Sequence, residues 1–163
     1  IEALKGNIKE DVKDVVLELG SNMLKLAGKG NNLEENKNRM LENIKNGRAL
    51  EKFKELVANQ GGDISYIEDT NKFKKAKFIL PVISKVQGKV KELNAEQIGK
   101  LSVFLGAGRI KKEDKIETEV GITLNKKIGD KVEKEEIIAY IHANDEDKVK
   151  EAVERLSKIY NIN

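Results

Sequence analysis

The sequence predicts an α+β protein: a helical first part, then a module of order β-β-α-β-β-α. Three observations carry this expectation. Apolar residues recur at steps of three and four through the first third of the chain. From Lys77 the period shortens, and Phe78-Ile-Leu-Pro-Val-Ile and Gly88-Lys-Val-Lys-Glu-Leu read as strands. Glycine pairs and asparagines stand where each segment should stop or start.

The first helix carries Ile8, Val12, Val15, Val16, Leu19, Met23 and Leu26, the stripe of an amphipathic helix packed on a core. Asn7 is the expected cap, Asp11 and Asp14 suit its early turns, and Gly28 and Gly30 end it. Leu17 and Leu24 widen the apolar face, as if something further covered it. A second helix opens near Asn32, turns Leu33, Met40, Leu41 and Ile44 inward, and stops at Asn46-Gly47. A third carries Leu50, Phe53, Leu56 and Val57 and stops at Gln60-Gly-Gly-Asp63. Short joints make these three antiparallel neighbours.

Residues 63–75 read as a linker with one anchoring patch at Ile64, Tyr66 and Ile67, which sets the domain boundary near 75: helical 1–75, then 76–163. Pro81, the only proline, places the 78–83 strand at an edge or a strand end. Asn94 caps a helix through Ala95, Ile98, Leu101, Val103 and Phe104 that closes at Gly106. Strands follow at about 119–125 and 136–142, and a terminal helix at 145–159 begins at Asn144/Asp145.

Composition excludes several function classes. The 163 residues suffice for one medium domain or two small ones, and charged residues make up 36% of them. Residues 1–75 carry 14 Lys+Arg against 13 Asp+Glu, and residues 76–163 carry 17 against 15, so neither part is a surface for nucleic acid. Without cysteine there are no disulfides or thiolate metal sites, which fits a cytoplasmic location. No run of about 18 apolar residues exists to enter a membrane, and the N-terminus lacks a signal-peptide pattern. The chain opens without methionine inside an apparent helix, Ile1-Glu-Ala-Leu-Lys-Gly, and reads as a piece of a longer protein.

Two constellations are candidates for a site. In Gly106-Ala-Gly-Arg109, Gly106 can supply a left-handed helix cap and Gly108 lets the chain turn. The sharper alternative is a tight loop that approaches another domain, with the Arg109 guanidinium forking to a carboxylate or phosphate. Lys126, Lys127, Gly129, Asp130 and Val132 form the second, with Gly129-Asp130 as a turn between two strands. This segment resembles part of a biotinyl or lipoyl carrier domain. It implies a hammerhead-type strand arrangement; an alternative function is a non-catalytic interaction or carrier module modified on Lys126 or Lys127. No Met-Lys-Met follows, however, and Glu135 stands where such domains usually have glycine.

Other residues read as structure. Lys111-Lys-Glu-Asp-Lys is a solvated turn of mixed sign. His142 has no acid or nucleophile placed beside it by sequence. Glu34-Glu35 and Glu135-Glu136 are adjacent pairs that face different ways in regular structure. No Walker loop or dinucleotide fingerprint is present. The residues alone disclose no catalytic group and no metal ligand set.

In order along the chain, Leu17-Glu-Leu-Gly-Ser, Leu26-Ala-Gly, Gly47-Arg-Ala-Leu-Glu-Lys-Phe, Gln60-Gly-Gly-Asp63, Leu105-Gly-Ala-Gly-Arg109, Lys112-Glu-Asp, Val120-Gly-Ile and Lys126-Lys-Ile-Gly-Asp130 resemble the C-terminal part of the pyrimidine-nucleoside phosphorylase (thymidine phosphorylase) family. Each motif is weak by itself; their order and spacing carry the resemblance. It implies that 1–75 is the helical end of an α/β phosphorylase domain and 76–163 a C-terminal α/β-hammerhead domain. The implied whole enzyme is a homodimeric pentosyltransferase of pyrimidine nucleoside salvage. It cleaves a pyrimidine nucleoside with phosphate as co-substrate and binds a potassium ion.

In the family pattern the phosphate loop, the base-holding Arg, Ser and Lys, and the cation-binding glutamate all precede Ile1, so Glu2 is not that glutamate. This chain alone is therefore expected to be inactive and to bind no cofactor. Gly106, Gly108, Arg109, Lys126, Lys127 and Asp130 become candidate loops for closing one lobe on the other. The family commonly has His before the lysine pair, where this chain has Asn125 and thus no titratable donor.

Overall fold

A computed structural model describes all residues, 1–163. The chain divides into two compact units, Ile1–Lys72 and Phe73–Asn163.

The first unit is helical. Its elements are α1 (Glu10–Leu26), α2 (Leu33–Lys45), α3 (Arg48–Asn59) and a short turn of helix, α4 (Ser65–Glu68). Asn32 caps α2 as its sequence position predicts, its side chain accepting from the backbone N–H groups of Glu34 and Glu35. Asn7 does not cap α1. The helix starts three residues later, after Lys9, and the Asn7 amide donates instead to Glu2 Oε2. At the far end, Lys29 N–H bonds Leu24 O and Gly28 N–H bonds Lys25 O, which satisfies two of the carbonyls a helix terminus leaves open.

The packing of α1 corrects the expected core. Val12, Val15, Val16, Leu19, Met23 and Leu26 all face solvent, Leu26 at 89% exposure, whereas Leu17 and Ser21 are the buried residues of this helix. α1 therefore meets α2 through a narrower, more polar face. There Asn36, 1% exposed, donates to the carbonyls of Ser21 and Gly30. Leu56 of α3 is exposed as well. Leu17 and Ile67 are the only buried hydrophobic residues of this unit, and Ile67 lies on α4, in the segment expected to be a linker.

The second unit has a real core. It comprises β1 (Phe78–Ile83), β2 (Gly88–Leu93), α5 (Ala95–Ser102) running into a π-helical turn at Val103–Ala107, β3 (Gly121–Leu124), β4 (Lys131–Val132), β5 (Ile137–Ala143), α6 (Glu146–Ile159) and β6 (Tyr160–Ile162). The strands form two antiparallel three-stranded sheets, ordered β1-β5-β3 and β4-β2-β6. Pro81 lies on β1, an edge strand, where its missing N–H costs no ladder bond. Val149, Ala152 and Leu156 of α6 are fully buried and pack with Val82, Ile141 and Leu105 in one cluster. Each valine, leucine or isoleucine among them contributes roughly 1.5–3 kcal/mol on burial, so this unit rests on hydrophobic packing in a way the first does not.

Two elements differ from the β-β-α-β-β-α expectation. The Gly129-Asp130 turn does not join the two long strands as a hairpin. It passes the chain from β3 to β4 in the other sheet, and residues 133–136 return it to β5. The chain also ends in a strand, β6, beside β2. Asp145 rather than Asn144 caps α6, accepting from Asp147 and Lys148 N–H.

Candidate functional site

The first candidate loop leaves α5 through the π-helical turn. Gly106 has φ +112°, a conformation side-chain-bearing residues rarely adopt, so glycine is required there for the reason its sequence position predicts. Gly108 is needed for a different reason. Its backbone is extended, but an added Cβ would lie 2.8 Å from Val103 Cγ2, so it is space rather than turning that excludes a side chain. Upstream, the Phe104 ring receives the Arg155 guanidinium at 4.4 Å and the Lys148 amine at 5.8 Å, which fastens the turn to α6.

Beyond Gly108 the chain makes a surface loop whose ends meet: Glu117 N–H donates to Gly106 O at 2.9 Å. Within it, the Asp114 carboxylate accepts from the N–H groups of Ile110 and Lys111. Arg109 is exposed, and no partner engages its guanidinium. Ile110, at 79% exposure, stands beside it. The loop thus presents a bare cation and a bare apolar side chain from closed, anchored ends.

The second loop is held differently. Gly129 N–H donates to Val90 O and Val90 N–H to Asp130 O, both at 2.9 Å, so the turn is paired with β2. The Asp130 carboxylate accepts from Lys127 N–H at 2.7 Å. Lys126 is a structural cation: its Nζ donates to Lys131 O at 2.9 Å and lies 2.6 Å from Glu136 Oε1. That contact, with the Glu133 N–H bond, holds the Glu136 carboxyl below its usual range. An amine so engaged is not presented as the mobile lysine of a carrier domain. The backbone of Lys127 and Gly129 is ordered by the same bonds, and Ile128 projects at the tip, 63% exposed.

Tyr160 locks this loop from below. Its hydroxyl reaches Lys126 O at 2.8 Å and Ile138 O at 3.1 Å, linking β6 to β5 and to the lysine pair. Burial pushes the phenol up to about 12, and the Asp130 charge adds to the effect. The two candidate loops thus stand on separate supports: Gly106–Arg109 on Glu117 and α6, Lys126–Asp130 on Val90, Glu136 and Tyr160. Sequence reasoning missed Glu117, Glu136 and Tyr160, whose partners lie 10 to 34 residues away.

Elsewhere, His142 Nε2 and Thr123 Oγ1 form a cross-strand hydrogen bond at 2.9 Å, a structural role. No group of three or more His, Cys, Asp or Glu side chains is placed to hold a metal ion. The Glu2 carboxylate accepts from the Asn7 amide and lies 3.8 Å from Lys5 Nζ. No helix is long and apolar enough to cross a membrane.

Known proteins supply the context for these loops. The profile of the family described as "Pyrimidine nucleoside phosphorylase C-terminal domain" matches residues 89–163, which include both loops. A pyrimidine-nucleoside phosphorylase of Bacillus subtilis (strain 168) is 45% identical over 160 residues, 98% of this chain and 36% of that protein. One of Staphylococcus aureus (strain USA300) is 44% identical over 162 residues, 99% of this chain and 37% of that protein. The chain therefore spans little more than a third of the length of the curated relatives it matches. With the C-terminal domain matched and the likeness continuing along nearly all of the remaining residues, the chain belongs to the pyrimidine-nucleoside phosphorylase family, in its C-terminal part.

Proposed function

We propose that this chain serves as the C-terminal portion of a pyrimidine-nucleoside phosphorylase. The whole enzyme would be a cytoplasmic homodimer and a glycosyltransferase of the pentosyl-transferring kind. It would cleave pyrimidine nucleosides or deoxynucleosides with phosphate to free base and pentose 1-phosphate, with a potassium ion bound. The observation that carries this reading is the 44–45% identity along nearly the whole chain to proteins of that name. Residues 1–75 would complete an α/β phosphorylase domain, and 76–163 would form a hammerhead domain. Phosphate, base and potassium would be bound by the remainder of the enzyme, so the chain alone would be inactive.

The uncovered α1 face supports the need for that remainder. A 17-residue helix with six exposed apolar residues in a single stripe, on a unit with only two buried hydrophobics, suits a surface that the rest of the enzyme covers. In unit two, the Gly106–Arg109 and Lys126–Asp130 loops would steady the closed form of the cleft. The bare Arg109 guanidinium is chemically suited to fork onto a carboxylate or phosphate there. Arg109→Ala in the full-length phosphorylase tests this. It should weaken substrate affinity or turnover while leaving the fold intact; unchanged kinetics and unchanged closure would remove the loop from the mechanism.

A further inference from the structure

We infer that Asn144 is a positioning residue that sets the Gly106–Arg109 loop from beneath. Its side chain joins three segments. The amide nitrogen donates to Glu117 Oε2 and, at 3.2 Å, to Glu119 Oε1, and its Oδ1 accepts from Lys77 N–H at 3.1 Å. Lys77 leads into β1, Asn144 directly follows β5, and Glu117 is the residue whose N–H closes the loop on Gly106 O. The other carboxylate oxygen of Glu117 faces Gly106, where an added Cβ would come within 3.3 Å of it. One amide therefore fixes the far end of the loop against the edge and centre of a sheet.

The arrangement is specific to an amide. Two carboxylates converge on a single donor nitrogen, with Lys74 supplying the nearby positive charge felt by Glu119. An aspartate in that place keeps the shape but replaces the donor with a third carboxylate, which repels both partners. Asp145, and not Asn144, caps α6, so the helix does not depend on this side chain. The use of the loop in closure rests on the function proposed above; its positioning by Asn144 does not, and can be read in the 163-residue chain without any activity.

Amide hydrogen exchange measures it. Asn144→Asp should speed exchange in residues 106–119 by roughly tenfold or more while α6 and β2 keep their protection. Adding Glu117→Gln, which gives the loop a donor for the new aspartate, should recover most of the lost protection. If Asn144→Asp does not fold, Glu117→Ala removes the acceptor from the loop side, leaves the sheet untouched and carries the same expectation. Unchanged exchange in 106–119, a uniform rise across the whole unit, or no recovery in the double variant would each overturn the assignment.

Discussion

Replacing Tyr160 with Phe tests how the Lys126–Asp130 loop is held, and its effect should change sign with pH. The hydroxyl reaches two carbonyls, but Ile138 O also accepts from Asn125 N–H at 2.9 Å and Lys126 N–H at 3.1 Å. Only Lys126 O loses a donor, so the variant should be less stable by about 1 kcal/mol near neutral pH. The native phenol carries a second contribution. Its folded value of about 12 stands above its ordinary 10, so the fold favours the protonated form.

That contribution is complete below about pH 10 and is lost as pH rises through about 12. Taken at face value, the difference between the folded and ordinary values is worth nearly 3 kcal/mol, roughly. Screening by the solvent that still reaches the ring trims it to about 2 kcal/mol. Tyr160→Phe, which cannot ionise, escapes that loss. Urea unfolding followed by circular dichroism should therefore show the native chain ahead by about 1 kcal/mol at about pH 8 and behind by about 0.5 kcal/mol at about pH 11.5. Lysines titrate alike in both proteins and cancel in the difference. Parallel stability curves across this range would refute the buried, doubly bonded phenol.

Three other features can be probed by substitution. Glu135 is the one non-glycine residue with positive φ, at +70°; such a conformation costs about 1–2 kcal/mol, and glycine's extra unfolded freedom returns about 0.5–1 of that. Glu135→Gly should accordingly raise the thermal midpoint modestly and Glu135→Ala should not, and a lower midpoint for the glycine variant would contradict the strain. Gly106→Ala should destabilise by about 1–2 kcal/mol, whereas Gly99→Ala, in open space on a helix, should stabilise by about 0.5–1; equal effects in a denaturation series would show that backbone conformation is not what selects Gly106. Leu19→Lys should alter the stability of this chain by less than about 0.5 kcal/mol, since the side chain is 61% exposed. In the full-length enzyme it should impair soluble assembly, and normal assembly would mean that the α1 stripe is not covered there.

Local features were legible in the sequence because their causes are local. Asn32 and Asn94 cap their helices three residues or fewer from the N–H groups they satisfy, and Pro81 marks an edge by lacking a donor. The colinear motifs identified the family because order and spacing survive where single residues are uninformative. Periodicity located the apolar stripe of α1 but pointed it the wrong way: a stripe states which face seeks cover, not whether the cover lies in the same chain. The strands β4 and β6, two and three residues long, are too short for alternation to show. The clasp of Asn144 on Glu117 and the reach of Tyr160 to Lys126 span 27 and 34 residues, so no local pattern announces them.

Where the chemistry resides is tested most directly by phosphorolysis with the 163-residue chain itself, assayed with uridine and thymidine in the presence of phosphate and potassium. If the phosphate, base and cation sites all belong to the remainder of the enzyme, no free base is released above the buffer control. Clear turnover by this chain alone would contradict that placement.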